Sequence, residues 1–218
     1  MNNNNLKIKE TFAIALQNHQ KNNFKVAESL YKEILKTKPN HFESVFYLGA
    51  LLVQTKNFDK AQQLLQQAIK IQPNFVAAHN NLGIAFNELG EHNKAMSHFQ
   101  KAIQIQPNFE NAHYNLGIAF NELGEYKKAI GCYEKAIQID PNYAAAHNNL
   151  GKILGELNHV NEAKKYFEKS LNLDQNRERT CEDYGDLLLK LNQHIKALAY
   201  LRKGTGFIRF TQKDFKII

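Results

Sequence analysis

The chain has 218 residues, 28 Lys+Arg against 21 Asp+Glu for a formal net charge of +7, 43% apolar residues, two cysteines and a mean hydropathy of -0.52. That length fits one or two globular domains, and the apolar fraction excludes a wholly disordered chain. No run approaches the roughly 18 apolar residues of a membrane helix, MNNNNLKIKE has no apolar signal core, and Cys132 and Cys181 lie far apart without metal or disulfide spacing, so membrane spanning, secretion and a zinc site are disfavoured and a reducing cytoplasm is expected.

Residues 1–7 are expected to be disordered. A 34-residue ruler then runs along the chain: Pro39, Pro73, Pro107 and Pro141, each followed by Asn40, Asn74, Asn108 or Asn142. The same register carries Leu48-Gly49, Leu82-Gly83, Leu116-Gly117, Leu150-Gly151 and, more loosely, Tyr184-Gly185, then Ala27, Ala61, Ala95, Ala129, Ala163 and Ala197. Segment 8–41 is divergent, units 42–75, 76–109, 110–143 and 144–177 are regular, 178–203 is divergent again, and 204–218 is a tail that leaves the helical period at Gly204 and Gly206.

Within 76–109, Leu82, Ala85, Phe86 and Leu89 follow helical spacing, as do Ala95, Phe99, Ala102 and Ile103, so each unit is expected to hold two amphipathic helices, A and B. Gly is costly inside a helix, so Gly83 and Gly117 need a close approach, for which Ala95 and Ala129 are the expected partners. Gly90, Gly124, Asn22, Asn158 and Asn192 mark the A-to-B turn, because Gly and Asn best tolerate the left-handed conformation. Helix B is expected to stop near Gln72, Gln106 and Asp140, since a residue before proline is driven out of helical geometry, and the Asn after each proline is expected to cap the next helix A.

This 34-residue pattern resembles the tetratricopeptide repeat family over nearly the whole chain, with His79, His113 and His147 where that family usually carries tryptophan. The resemblance implies an all-α, right-handed superhelical solenoid of helix-turn-helix units whose A helices line a concave groove. It also implies that the groove is lined by Asn80, Asn81, Asn87 and Glu88, by Asn111, Tyr114, Asn115, Asn121 and Glu122, and by Asn148, Asn149, Lys152 and Glu156. An asparagine amide both donates and accepts, so a row of them suits an extended peptide backbone. The spacing of Asn81, Asn115 and Asn149 looks like the asparagine ladder in the repeat domain of O-GlcNAc transferase; the other reading is a solvated polar face in a chain rich in asparagine.

Other chemistries find less support. Residues 1–41 carry +4 and 178–218 carry +3, whereas units 42–177 sum to zero, so no phosphate-binding track runs along the groove and no specific nucleic-acid partner is expected. The three repeated histidines sit on successive A helices, too far apart to converge on one metal, and read as aromatic filling between helices. Glu88, Glu122 and Glu156 make an acidic row along one edge that favours a neutral or basic guest; the other reading is solubility, with Glu156 pairing with Lys152 four residues earlier. No catalytic residue, metal or cofactor is expected. The reading is a non-catalytic protein-interaction scaffold that binds an extended peptide. Its rival is an accessory module of a glycosyltransferase, a 2-oxoglutarate/iron oxygenase or a sulfotransferase, because the tail resembles the joint that precedes such enzyme domains. Phe207, Ile208, Phe210, Phe215, Ile217 and Ile218 make the tail a candidate cap or self-association strand.

Overall fold

A computed structural model describes residues 3–174, 177–205, 208–210 and 215–217; Met1, Asn2, Gly206, Phe207 and Ile218 of the segments discussed above lie outside the described residues. The array is all-α. The first compact unit, Met1–Leu123, holds α1 (Asn3–Gln20), α2 (Phe24–Thr37), α3 (Phe42–Gln54), α4 (Phe58–Ile71), α5 (Val76–Glu88), α6 (His92–Ile105) and α7 (Glu110–Glu122). The second, Gly124–Ile218, holds α8 (Tyr126–Ile139), α9 (Ala144–Glu156), α10 (Val160–Leu173), α11 (Glu178–Lys190) and α12 (His194–Thr205). Odd-numbered helices are the A helices and even-numbered ones the B helices.

Two boundaries differ from expectation. Residues 3–7 are the first turn of α1 and not disordered, because a helix anchored by buried Ile8 propagates one turn outward at little cost. At the other end α12 runs through Gly204 to Thr205. A Cβ at Gly204 would lie 2.8 Å from the Glu178 carbonyl oxygen, so this glycine permits a close approach to the start of α11 and does not end the helix.

Every A-to-B turn uses one device. Asn22, Lys56, Gly90, Gly124, Asn158 and Asn192 all have φ between 58° and 77°. In the turn after α5, Glu91 N–H donates to Phe86 O (2.9 Å) and Gly90 N–H to Asn87 O (3.0 Å), which satisfies two carbonyls that the helix end would otherwise strand. The B helices end as the prolines require. Gln72 is extended (φ -131°, ψ 90°), and Phe75 N–H returns to Gln72 O (3.2 Å) around Pro73-Asn74. The same bond joins Arg177 to Asp174 (3.2 Å) in a segment that has no proline.

The expected asparagine caps are corrected by this geometry. Pro-Asn is consumed by the turn, and the residues that precede the A helices are His41, Phe75, Phe109 and Tyr143. His41 alone among these four caps with its side chain, its Nδ1 accepting from Ser44 N–H (3.3 Å).

The core is a repeated notch-and-plug. Ala27, Ala61, Ala95, Ala129, Ala163 and Ala197 are fully buried, and four residues later stand Tyr31, Leu65, Phe99, Tyr133, Phe167 and Leu201, also buried. At Gly83 the nearest neighbours are ring atoms of Phe99 and not the first-assigned Ala95, and Gly49 and Gly185 likewise meet a large side chain of the following B helix most closely. A Cβ at Gly83 would lie 2.5 Å from Phe99 Cε1, at Gly49 2.9 Å from Leu65 Cγ, and at Gly185 2.6 Å from Leu201 Cγ. The reason is directional: helical side chains lean toward their own N-terminus, so the plug comes from one turn beyond the alanine. After α12 the tail forms a hairpin, β1 (Ile208–Phe210) antiparallel to β2 (Phe215–Ile217), with Ile208 opposite Ile217 and Phe210 opposite Phe215.

Candidate functional site

The candidate surface of the first compact unit is built on α5 and α7. Asn81, Asn87, Asn111, Tyr114, Asn115 and Asn121 are half-buried there, and Glu88 and Glu122 are exposed. Asn80 is buried, and its Oδ1 accepts from Asn115 Nδ2 (3.0 Å) on the next A helix. It is therefore an inter-helix contact and not a groove-lining group. Asn87 Oδ1 accepts from His92 Nδ1–H (3.0 Å), and Asn111 donates to Glu110 (3.0 Å). Asn81 and Asn121 make no side-chain hydrogen bond among the described residues, so their amides face water with every donor and acceptor unspent.

On the second unit the corresponding helices are α9 and α11. Asn148 is fully buried and donates Nδ2 to Asp183 Oδ2 (2.8 Å), which repeats the Asn80–Asn115 contact with a carboxylate in place of the amide and likewise removes Asn148 from the accessible face. Asn149 is half-buried, with Nδ2 at 3.4 Å from the Tyr133 hydroxyl. Lys152 pairs with Asp183 Oδ1 (3.6 Å) and not with Glu156, because a carboxylate already fixed on the neighbouring helix competes successfully with a solvated one on the same helix. Arg179 Nε also reaches Asp183, at 4.0 Å. Burial, and then the Asp183 charge, raise the Asp186 pKa from its ordinary value.

Asp183 stands 34 residues after Asn149 and is the next rung of the asparagine series, a position the sequence reading missed because the residue type changes. Asp186 was missed for the same reason, although the register alone places it one helical turn beyond Asp183.

The repeated histidines have a common role. His79, His113 and His147 each donate Nε2–H to the carbonyl of the preceding proline, Pro73, Pro107 and Pro141, at 2.9, 2.9 and 3.0 Å. They are more than aromatic filler: each ties its A helix to the turn before it. With Nε2 protonated, neutral His79 offers Nδ1 to the Nδ1–H of His98 (3.2 Å), whose ring also stacks on Phe86 with centroids 5.5 Å apart. Burial, assisted by His79, pushes the His98 pKa down to about 4. Among the described residues no cluster of three His, Cys, Asp or Glu side chains could hold a metal, and no helix is long and apolar enough to cross a membrane.

Sequence models described as TPR repeat match residues 84–124 and 119–158, and models described as tetratricopeptide repeat match 19–82 and 144–177. A solved structure described as MamA is 30% identical, over 74% of this chain and 95% of that one, with a TM-score of 0.65. PilW, described as a type IV pilus biogenesis factor, shares the fold at 19% identity, covering 91% of this chain and 92% of its own, with a TM-score of 0.80. PilF of Pseudomonas aeruginosa shares it at 16% identity, covering 91% and 90%, with a TM-score of 0.77. No curated protein sequence matches the chain.

Proposed function

Since the chain belongs to the tetratricopeptide repeat family, whose helical pairs serve as protein-interaction scaffolds, we propose that its A-helix faces bind an extended polypeptide through main-chain hydrogen bonds. The observation that carries this reading is the state of the asparagines on α5 and α7. Asn81 and Asn121 are half-buried and unspent, and Asn115 has given one N–H to Asn80 and keeps its carbonyl. An amide held in this way offers both halves of the pairing that a peptide unit needs, without selecting its side chain. Partial burial also lowers the entropy lost when a guest arrives.

The test is the triple substitution Asn81→Ala, Asn115→Ala, Asn149→Ala in the full chain. Helical circular dichroism should be retained, and affinity for a captured partner segment should fall by about tenfold for each 1.4 kcal/mol of hydrogen bonding lost. Unchanged affinity in a folded triple variant would refute the ladder.

A further inference from the structure

The geometry points to a cavity between α9 and α11 that takes a basic side chain, arginine or lysine, of the bound polypeptide. This rests on the peptide-binding reading above and adds a side-chain preference to it. The cavity has a volume of about 250 Å³ and is lined by charged walls, Lys152, Glu156, Asp183, Asp186 and Lys190, over Gly155, Phe167 and Leu187. It is smaller than the roughly 300–1,000 Å³ typical of small-molecule sites and suits one long side chain.

Its origin is readable in the repeat. Gly155 occupies the position that holds Asn87 and Asn121 in the two preceding repeats, so the cavity opens where those repeats carry an amide. A Cβ at Gly155 would sit 3.3 Å from Leu187 Cδ1, a side chain that lines the cavity.

Charge sets the occupant. Three carboxylates and two ammonium groups line it; Asp183 is already shared by Lys152 and, at 4.0 Å, by Arg179, which leaves Glu156 and Asp186 with Lys190. Asp183 is held in place by Asn148 Nδ2, and the Oδ1 of the fully buried Asn148 has no donor among the described residues. Among the described residues Asp186 and Glu156 make neither a hydrogen bond nor an ion pair within 4.0 Å, and Asp186 feels Lys190 and Lys152 only at longer range. Burial first, and then the Asp183 charge, raise the Asp186 pKa against the lowering pull of Lys190 and Lys152, and an incoming cation would add to that pull. A guanidinium bridges two carboxylates with fixed geometry, and the apolar floor of Phe167 and Leu187 receives the methylene stem of either basic side chain.

The experiment titrates the isotope-labelled full chain at low ionic strength with end-blocked Ser/Ala heptapeptides carrying a central arginine, lysine, norleucine or glutamate, and follows amide shifts by NMR. Expected are shifts at Gly155 and Leu187 with the arginine and lysine peptides only. Asp186→Asn with Glu156→Gln should weaken that response about tenfold, in line with the loss of charge-assisted hydrogen bonds. Gly155→Asn should fill the cavity and abolish the response while shifts at Asn81 and Asn115 persist. If all four peptides move Asn81 and Asn115 but none moves Gly155, peptide binding stands and the cationic pocket is refuted. Equal or stronger response of Gly155 to the norleucine or glutamate peptide overturns the pocket as well. Shifts at Gly155 with the arginine and lysine peptides alone, with Asn81 and Asn115 silent, support the pocket and refute the ladder.

Discussion

Replacing Gly83 by alanine adds a single methyl group at the tightest point between α5 and α6. That methyl would lie 2.5, 2.7 and 2.9 Å from three ring atoms of Phe99, a side chain only 1% exposed, so the ring and its helix must shift together. Overpacking of this kind costs about 1–3 kcal/mol. Alanine recovers about 0.5–1 kcal/mol of helix propensity over glycine. The net expectation is a loss of about 0.5–2 kcal/mol, or a fall in Tm of about 1–8 °C for a chain of this size. Thermal melting by circular dichroism reads the loss, and hydrogen exchange should place it on α5 and α6. Phe99→Leu in the same background should recover part of it, because the clash partner is gone. Gly90→Ala provides the contrast: nothing lies within 4 Å of a Cβ there, and its φ of 77° imposes backbone strain of about 1–2 kcal/mol with no dependence on Phe99. A Gly83→Ala protein as stable as the parent, or losses strictly additive with Phe99→Leu, would refute the notch-and-plug account.

Lys56 holds φ at 58° without a glycine's freedom, so Lys56→Gly should stabilise by about 0.5–1 kcal/mol, seen as a raised midpoint in denaturant melts; a lowered midpoint contradicts it. His98 is held neutral, its folded pKa of about 4 lying below the ordinary 6.5, so its contribution is complete above pH 6.5 and is lost as pH falls toward 4. His98→Ala should flatten that part of the stability–pH curve; an unchanged curve argues against a buried neutral histidine. Ser170 donates to Ala144 O (2.8 Å) and meets the buried Thr180 hydroxyl at 3.1 Å, so Ser170→Ala should cost about 1–3 kcal/mol, and a neutral melt would show that water replaces the bond.

Much of the architecture was legible because the 34-residue ruler repeats each structural instruction. Pro73, Pro107 and Pro141 mark the B-helix ends, and glycine or asparagine marks five of the six left-handed turns. Lys56, the sixth, was silent because lysine carries no turn signal, and only its register with Gly90 reveals it. The glycine partners were misassigned by matching small residues to small ones, when side-chain direction brings the ring of Phe99 into the notch left by Gly83. On the candidate surface, the family resemblance placed Asn80 and Asn148 in the groove by their position in the repeat. Both lie where neighbouring A helices meet, a burial that residue type cannot signal. Lys152 was read within its own helix, and the stronger partner, Asp183, lies 31 residues away on α11, where only packing brings it close.

On the proposed function, polypeptide binds along the A helices. Photo-crosslinking from benzoylphenylalanine tests it most directly, with the probe placed in the full chain at Tyr114 on α7 or at the exposed Gln100 on α6. The claim requires a crosslinked polypeptide from position 114, lost on addition of a competing extended peptide, and none from position 100. Crosslinks from position 100 alone, or equal yields from both positions, would contradict it.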